Sequence, residues 1–120
     1  MAARFTEVWE EKLRTAAPDD STSVDLKSLG SSQVRAFWRI ASASGGSSDQ
    51  TAVIKAQHSD NGVDWTDVPD GSFATVSAGC TFPAEQTLVI YPTRRYLKWS
   101  VTHSGTTKSA TWGLEVSYVS

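Results

Sequence analysis

Val-Ile-Lys-Ala-Gln-His-Ser-Asp-Asn-Gly-Val-Asp-Trp-Thr-Asp-Val, residues 53–68, carries the strongest structural signal in this chain. It reads as a strand, a turn at Asp60-Asn61-Gly62 and a return strand that contains Trp65. An Asn-Gly pair readily adopts the positive φ angles that two-residue hairpin turns require. We therefore predict a tight β-hairpin, with Trp65 folded back over it and buried in the core.

The same strand pattern recurs along the rest of the chain. Apolar residues alternate with polar ones in several short runs, and this period of two is typical of half-buried strands. Gly-, Ser- and Pro-rich turns separate the runs at regular spacing. About seven or eight short strands are therefore expected, in an all-β, antiparallel, jelly-roll-like β-sandwich that occupies residues 18–120. The alternating core candidates include Val34, Ala36, Trp38, Ile40, Ala52, Ile54, Ala56, Leu97, Trp99, Val101, Trp112, Leu114 and Val116.

Residues 1–17 form an N-terminal arm whose conformation the pattern leaves open. Phe5, Val8, Trp9 and Leu13 share one face of a helix. Read as a strand, the segment places three of them on one side, and an extended arm that docks on a neighbouring subunit is a third interpretation. In each case we expect these four apolar residues to bind a partner.

Composition restricts the class of protein. A chain of 120 residues suggests one domain with one core, to which five Trp, four Phe and three Tyr contribute large apolar areas. The net charge of −2 argues against a general nucleic-acid binder. Neither an apolar run of about 20 residues nor a signal-peptide core is visible, which favours synthesis in the cytoplasm and no membrane insertion. The single cysteine, Cys80, is expected to be a small buried or loop residue.

Catalytic patterns are weak. His58-Ser59-Asp60 contains the residue types of a catalytic triad, but consecutive residues of a strand point to opposite faces. His58 and His103 lie in no pattern with metal-ligand spacing. We expect no enzyme activity, no cofactor and no metal. Four aspartates lie in the hairpin and just after it: Asp60, Asp64, Asp67 and Asp70. Their oxygens could bind calcium, but aspartate is also common in turns, and we favour the turn interpretation.

Two groups of surface residues are candidates for binding. Arg35, Phe37 and Arg39 alternate with the core residues of their strand, so they either form an aromatic and basic interface or lie under a covered sheet face. A second group could hold an anionic or sugar ligand by charge and stacking, or could form a solvated corner. It consists of Tyr91, Arg94, Arg95 and Tyr96.

Residues 57–68, followed by Arg94-Arg95-Tyr96-Leu97-Lys98-Trp99 and the loop of residues 104–107, resemble a group of small virion proteins of tailed bacteriophages. That resemblance implies a β-sandwich encoded among head and tail genes. The motif Ser-Asp-x-Gly-x-x-Trp with a following Arg-Tyr-Leu-Lys also resembles the discoidin-like (galactose-binding-like) sandwich. This chain departs from that second family because it lacks the terminal cysteine pair and is shorter.

The resemblance implies a non-enzymatic phage structural protein, most simply a capsid decoration (cement) protein. Its partners would be the major capsid protein or other virion proteins, contacted in many copies or as a homo-oligomer on the capsid surface, without membrane or nucleic acid. One alternative is a carbohydrate-binding or adhesion module of a tail fibre or baseplate. Another is a component of the tail or the head–tail connector.

Overall fold

A computed structural model of the chain describes residues 5–119, without the side chain of Phe5. Its elements are short strands and one helical turn. In chain order they are β1 (Phe5–Arg14), β2 (Val24–Asp25), α1 (Leu26–Leu29), β3 (Gln33–Ser42), β4 (Thr51–Ser59), β5 (Thr66–Ser72), β6 (Val76–Ser77), β7 (Ala84–Ile90), β8 (Tyr96–Ser104) and β9 (Ala110–Val119).

The strands form two antiparallel sheets that pack face to face. The first sheet has the order β1-β9-β3-β7, and the second has the order β2-β8-β4-β5, with β6 also paired to β4. The last strand of the chain, β9, thus lies between β1 and β3. The predicted all-β antiparallel sandwich is confirmed.

The core lies between the sheets and is rich in tryptophan. Trp38 and Trp112 of the first sheet are both fully buried, and their rings meet edge to face at 6.3 Å. Phe73 contacts Trp38 at 5.5 Å and Trp99 of the second sheet at 6.2 Å between ring centroids. The predicted alternation is confirmed, since the predicted core residues of β3, β4, β8 and β9 point inward.

The connection between β4 and β5 differs from the predicted tight turn. It spans residues 60–65, and within it only Gly62 has a positive φ, of 75°. The Oδ1 atom of Asn61 accepts hydrogen bonds from the backbone N–H groups of Val63 and Asp64, each at 2.9 Å. Ser59 Oγ accepts another from the Gly62 N–H at 3.0 Å. The prediction of a two-residue turn was wrong, because these side chains form hydrogen bonds with the local backbone and stabilise a wider loop.

Trp65 also lies elsewhere than predicted. The wider loop brings it to the outer face of the second sheet, where it is half-buried and lies outside the core cluster. Its ring is 4.7 Å from the Lys98 Nζ. The two halves of the discoidin-like motif therefore meet on the surface, and Trp65 does not close the core.

The N-terminal segment is a strand, so its helical interpretation was wrong. β1 pairs with β9 from Phe5 opposite Ser117 to Arg14 opposite Ala110, with register shifts on either side of Trp9. Arg14 is buried, its guanidinium 4.3 Å from the Trp112 ring centre. Pairing with a neighbouring strand outweighs the modest helix preference of the glutamates in this segment.

The short helix α1 was not predicted, although both of its ends carry recognisable residues. Asp25 caps it by accepting hydrogen bonds from the N–H groups of Lys27 and Ser28, and Gly30 ends it at φ 64°. Aspartate before and glycine after a helix are preferred at these positions. The alternation of Val24 and Leu26 with polar residues suggested a strand here instead.

Pro69-Asp70-Gly71, a sequence typical of turns, lies inside β5 as a bulge. The pairing with β4 shifts from Lys55 opposite Ser72 to Gln57 opposite Asp67. Asp70 takes up the extra length with a φ of 57°, a conformation that aspartate tolerates better than most residues.

The two buried histidines predict acid sensitivity. Burial lowers the pKa of His58 and of His103 below the ordinary 6.5, helped by the positive charges of Arg94 and Lys108 respectively. The unfolded chain then takes up protons first as the pH falls. Stability should be intact above about pH 6.5 and decrease below it towards the folded-state pKa values.

Urea unfolding at several pH values between roughly 7.5 and 5 measures this loss. The double variant His58→Gln with His103→Gln should show a flatter dependence over this window. Hydrogen bonds from Lys98 and Gln57 are the main reason that the pKa values of Asp20 and Asp67 are lowered. These two carboxylates therefore change the stability only near and below pH 3.8, outside the range of the histidines. Equal slopes for the two proteins would contradict the assignment.

Candidate interaction surface

Arg35, Phe37 and Arg39 lie together on the side of the first sheet that faces away from the core, called the outer face below. They alternate along β3 with its buried residues. Across the strands, Arg35 is opposite Val89 of β7, and Phe37 is opposite Glu115 of β9. The structure therefore places this predicted group on one surface.

Arg39 is held within the sheet by two carboxylates. Its Nη1 lies 2.6 Å from the Glu11 Oε1 of β1, and its Nε lies 3.4 Å from the Glu85 Oε1 of β7. The hydrogen bond with Glu11 is the main reason that the pKa of Arg39 is raised above its ordinary value. Arg39 thus connects the two edge strands of the first sheet, and its charge is balanced locally.

Gly113 makes this connection possible. It lies opposite Arg39 on β9, between the arginine and β1. A Cβ at this position would lie 2.8 Å from the Glu11 backbone N, closer than real Cβ contacts. The missing side chain lets β1 approach β9 closely and leaves a path for Arg39 to reach Glu11.

Phe37 is half-buried beside a shallow depression of about 210 Å³ around Gly113. Glu7 of β1 lies directly opposite Glu115 of β9 in the same depression. Like charges in directly opposed positions repel each other. With Glu11 and Arg39, the depression contains three carboxylates and one guanidinium, so it attracts cations.

Exposed apolar side chains also lie on the outer face, Val89 and Tyr91 near Arg35 and Leu13 at the opposite end of the sheet. Val89 is 42% exposed, Leu13 61% and Tyr91 64%. Gln33 donates a hydrogen bond from Nε2 to the Tyr91 Oη at 3.1 Å and accepts one from the Arg35 Nε at 3.2 Å. Tyr91, predicted as part of a ligand group with Arg94 and Arg95, therefore belongs to this surface with Arg35.

Val8, Trp9 and Leu13, which share one face in the helical interpretation, do not share one face in β1. Val8 and Trp9 are half-buried against the core, and the Trp9 ring meets Trp112 edge to face at 5.6 Å. Leu13 lies opposite the outward-facing Thr111 and is exposed. The side chain of Phe5 lies outside the described residues. A helical face was the wrong grouping because β1 is a strand with two irregularities.

The predicted ligand group is dispersed, and its arginines are balanced by acids. Arg95 makes a two-pronged contact with Asp25, at 3.0 and 2.7 Å, and lies 5.1 Å from the Tyr96 ring centre. Arg94 lies 3.5 Å from Asp60. Tyr96 belongs to the second sheet, whereas Tyr91 contacts the first, so these residues do not line one pocket.

The hairpin aspartates have separate partners. Asp64 accepts a hydrogen bond from the Asn61 side chain, and Asp67 contacts Lys55 and Gln57. No group of three or more His, Cys, Asp or Glu side chains in residues 5–119 is arranged to hold a metal ion. Cys80 is an exposed loop residue. Among the described elements, no helix is long and apolar enough to cross a membrane.

No protein-family model matches this chain. No curated protein matches it either. Among solved structures, the chain is similar to a protein described under the words "Bacillus endospore appendages form a novel family of disulfide-linked pili". The match has a TM-score of 0.47 and 13% sequence identity, and it covers 99% of this chain and 91% of that one. The resemblance to phage virion and discoidin-like proteins remains a prediction.

Proposed function

We propose that this protein is a non-enzymatic structural subunit that binds other proteins of a multi-copy assembly through its outer face. The observation that carries the proposal is the cluster of Phe37, Val89 and Tyr91 around Arg35 at one end of that face. Exposed large apolar side chains collected on one surface are typical of interaction sites.

The charges around these apolar residues support the same function. Arg35 lies beside Phe37 on β3, and Gln33 links it to Tyr91 by two hydrogen bonds. Arginine and tyrosine are enriched where proteins bind each other. Arg39 connects β1 and β7 through Glu11 and Glu85. The side chains of the outer face therefore stand on a rigid sheet and lose little conformational freedom on binding.

The particular assembly we propose is the head of a tailed phage, with this chain as a decoration protein on the major capsid protein. Support comes from the sequence resemblance of residues 57–68 and 94–99 to small phage virion proteins. A homo-oligomer of this chain would contact several lattice positions at once, and this linkage raises its overall affinity. The alternatives of a tail, connector or adhesion component use the same surface with a different partner.

The test adds purified protein to phage heads that lack it and measures sedimentation of the bound fraction. We expect Arg35→Glu with Tyr91→Ala to weaken binding at least tenfold, equivalent to about 1.4 kcal/mol. A matched control is Lys27→Glu with Val63→Ala, which changes an exposed cation and an exposed apolar side chain elsewhere. Equal binding by both variants would remove the outer face from the proposal. Binding to tails alone would overturn the capsid assignment.

A further inference from the structure

A groove of about 510 Å³ opens between β1 and residues 18–24. Residues 18–24 lie along β8. The Ser21 N–H donates to the Trp99 carbonyl at 2.9 Å, and the Trp99 backbone N–H donates to Ser21 Oγ at 2.8 Å. β1, on the other side of the groove, is an edge strand of the first sheet. The groove is thus the side on which the sandwich is open. It contains none of the apolar residues that carry the proposed function, although Glu7 and Trp9 also line the depression beside Phe37.

The lining of the groove is aromatic and apolar. It includes Val8, Trp9, Val24, Trp99 and Tyr118. Trp99 is 1% exposed, and its indole lies beside the Tyr118 side chain, which also lines the groove.

The rim of the groove is acidic. Glu7 stands on the β1 side, with Asp19 and Asp20 on the other. Asp20 binds the Lys98 Nζ at 2.8 Å, whereas neither Glu7 nor Asp19 forms an ion pair within the part of the chain that is described. An apolar interior below a negative rim fits an apolar ligand that carries a positive charge.

The edge of β1 adds a third kind of contact. In the described part of the chain β1 pairs on one side only, with β9, so its other side has no strand partner beside the groove. Further along the strand, the Glu10 carbonyl accepts a hydrogen bond from the Arg14 Nη2. The unpaired portion at residues 6–9 is therefore the part open to an added strand, a recurrent mode of peptide binding.

We propose that this groove binds an extended segment of a partner polypeptide. The segment pairs with β1 at residues 6–9, places an apolar side chain on the aromatic floor and directs a lysine or arginine to Glu7 and Asp19. Main-chain pairing supplies affinity, and the apolar and positive side chains supply selectivity.

The probe is the synthetic peptide acetyl-Val-Lys-Leu-Lys-Val-amide, titrated into the ¹⁵N-labelled protein and followed by NMR. We expect the largest shifts at the backbone amides of residues 6–9 and at the indole N–H of Trp99. A peptide with glutamate in place of both lysines should bind at least tenfold more weakly. Equal binding of the two peptides, or shifts confined to the outer face, would overturn the proposal.

Methylated peptides distinguish strand pairing from side-chain contact alone. Methyl groups on alternate backbone nitrogens remove the donors along one edge of a strand only. We expect one of the two alternately methylated peptides to lose binding and the other to keep it. If both bind like the parent peptide, β1 does not pair with the ligand and the proposal is wrong.

Protein variants locate the charge contacts. Glu7→Gln with Asp19→Asn should weaken the lysine peptide about tenfold, or about 1.4 kcal/mol. Glu10→Gln with Glu85→Gln removes the same charge outside the groove and should leave binding within twofold of the wild type. A dimer of this chain that excludes the peptide, detected by light scattering, would show that a second copy fills the groove and would overturn the partner assignment.

Discussion

Replacing Trp38 by alanine is expected to lower the free energy of unfolding by about 3–5 kcal/mol. Trp38 is fully buried and contacts both Phe73 and Trp112 edge to face. Its removal loses apolar contacts with both sheets and leaves a cavity that the surrounding strands cannot close. Aromatic pairs of this geometry add roughly 0.5–1.5 kcal/mol beyond the area they bury.

Trp65→Ala is the matched control, since it removes the same side chain from the outer face of the second sheet. The Trp65 ring is half-buried and contacts Lys98, an interaction worth about 0.5–1 kcal/mol at an exposed site. Chemical unfolding of both variants measures the difference. A loss for Trp65→Ala as large as that for Trp38→Ala would return Trp65 to the core and contradict the structure.

Replacing Gly113 by valine is expected to destabilise the protein by about 1–3 kcal/mol. The new Cβ would lie 2.8 Å from the Glu11 N and 2.9 Å from its Cα, both backbone atoms of β1. Relief requires β1 to move away from β9, which loosens the pairing of these strands. The larger side chain also fills the path by which Arg39 reaches Glu11.

Gly79→Ala is the matched control for this glycine. A Cβ at Gly79 meets no atom within 4 Å, and its φ lies outside the left-handed region. We expect no loss of stability there, and a gain of a few tenths of a kcal/mol from the less flexible unfolded chain. Hydrogen exchange should show faster opening of β1 in Gly113→Val alone. Unchanged exchange and an unchanged unfolding midpoint for Gly113→Val would contradict the close approach of β1.

The strand pattern could be predicted because it depends on local alternation. The buried residues of β3 and β8 were found by their period of two, and these strands confirmed the sandwich. The ends of the strands were harder to predict from the sequence. Asn61 illustrates the reason, since its side-chain oxygen bonds two backbone N–H groups and produces a wider loop than the Asn-Gly pair predicted.

The candidate surface was predicted in part. Arg35, Phe37 and Arg39 could be grouped because they lie on one strand. Glu11, Glu85 and Gly113 could not be added, since each comes from a different strand and strand order is set by contacts distant in sequence. The opposed pair of Glu7 and Glu115 carries no local signal for the same reason.

Residues 53–68 show both what the sequence predicts by itself and what depends on the tertiary structure. The alternation of Ile54 and Ala56 with polar residues was sufficient to indicate a strand and its buried side, because the two faces of a strand follow directly from backbone geometry. The position of Trp65 was not accessible in this way. It depends on the loop that Asn61 holds by local hydrogen bonds and on Lys98 of the neighbouring strand β8, which comes beside this loop only when the second sheet assembles.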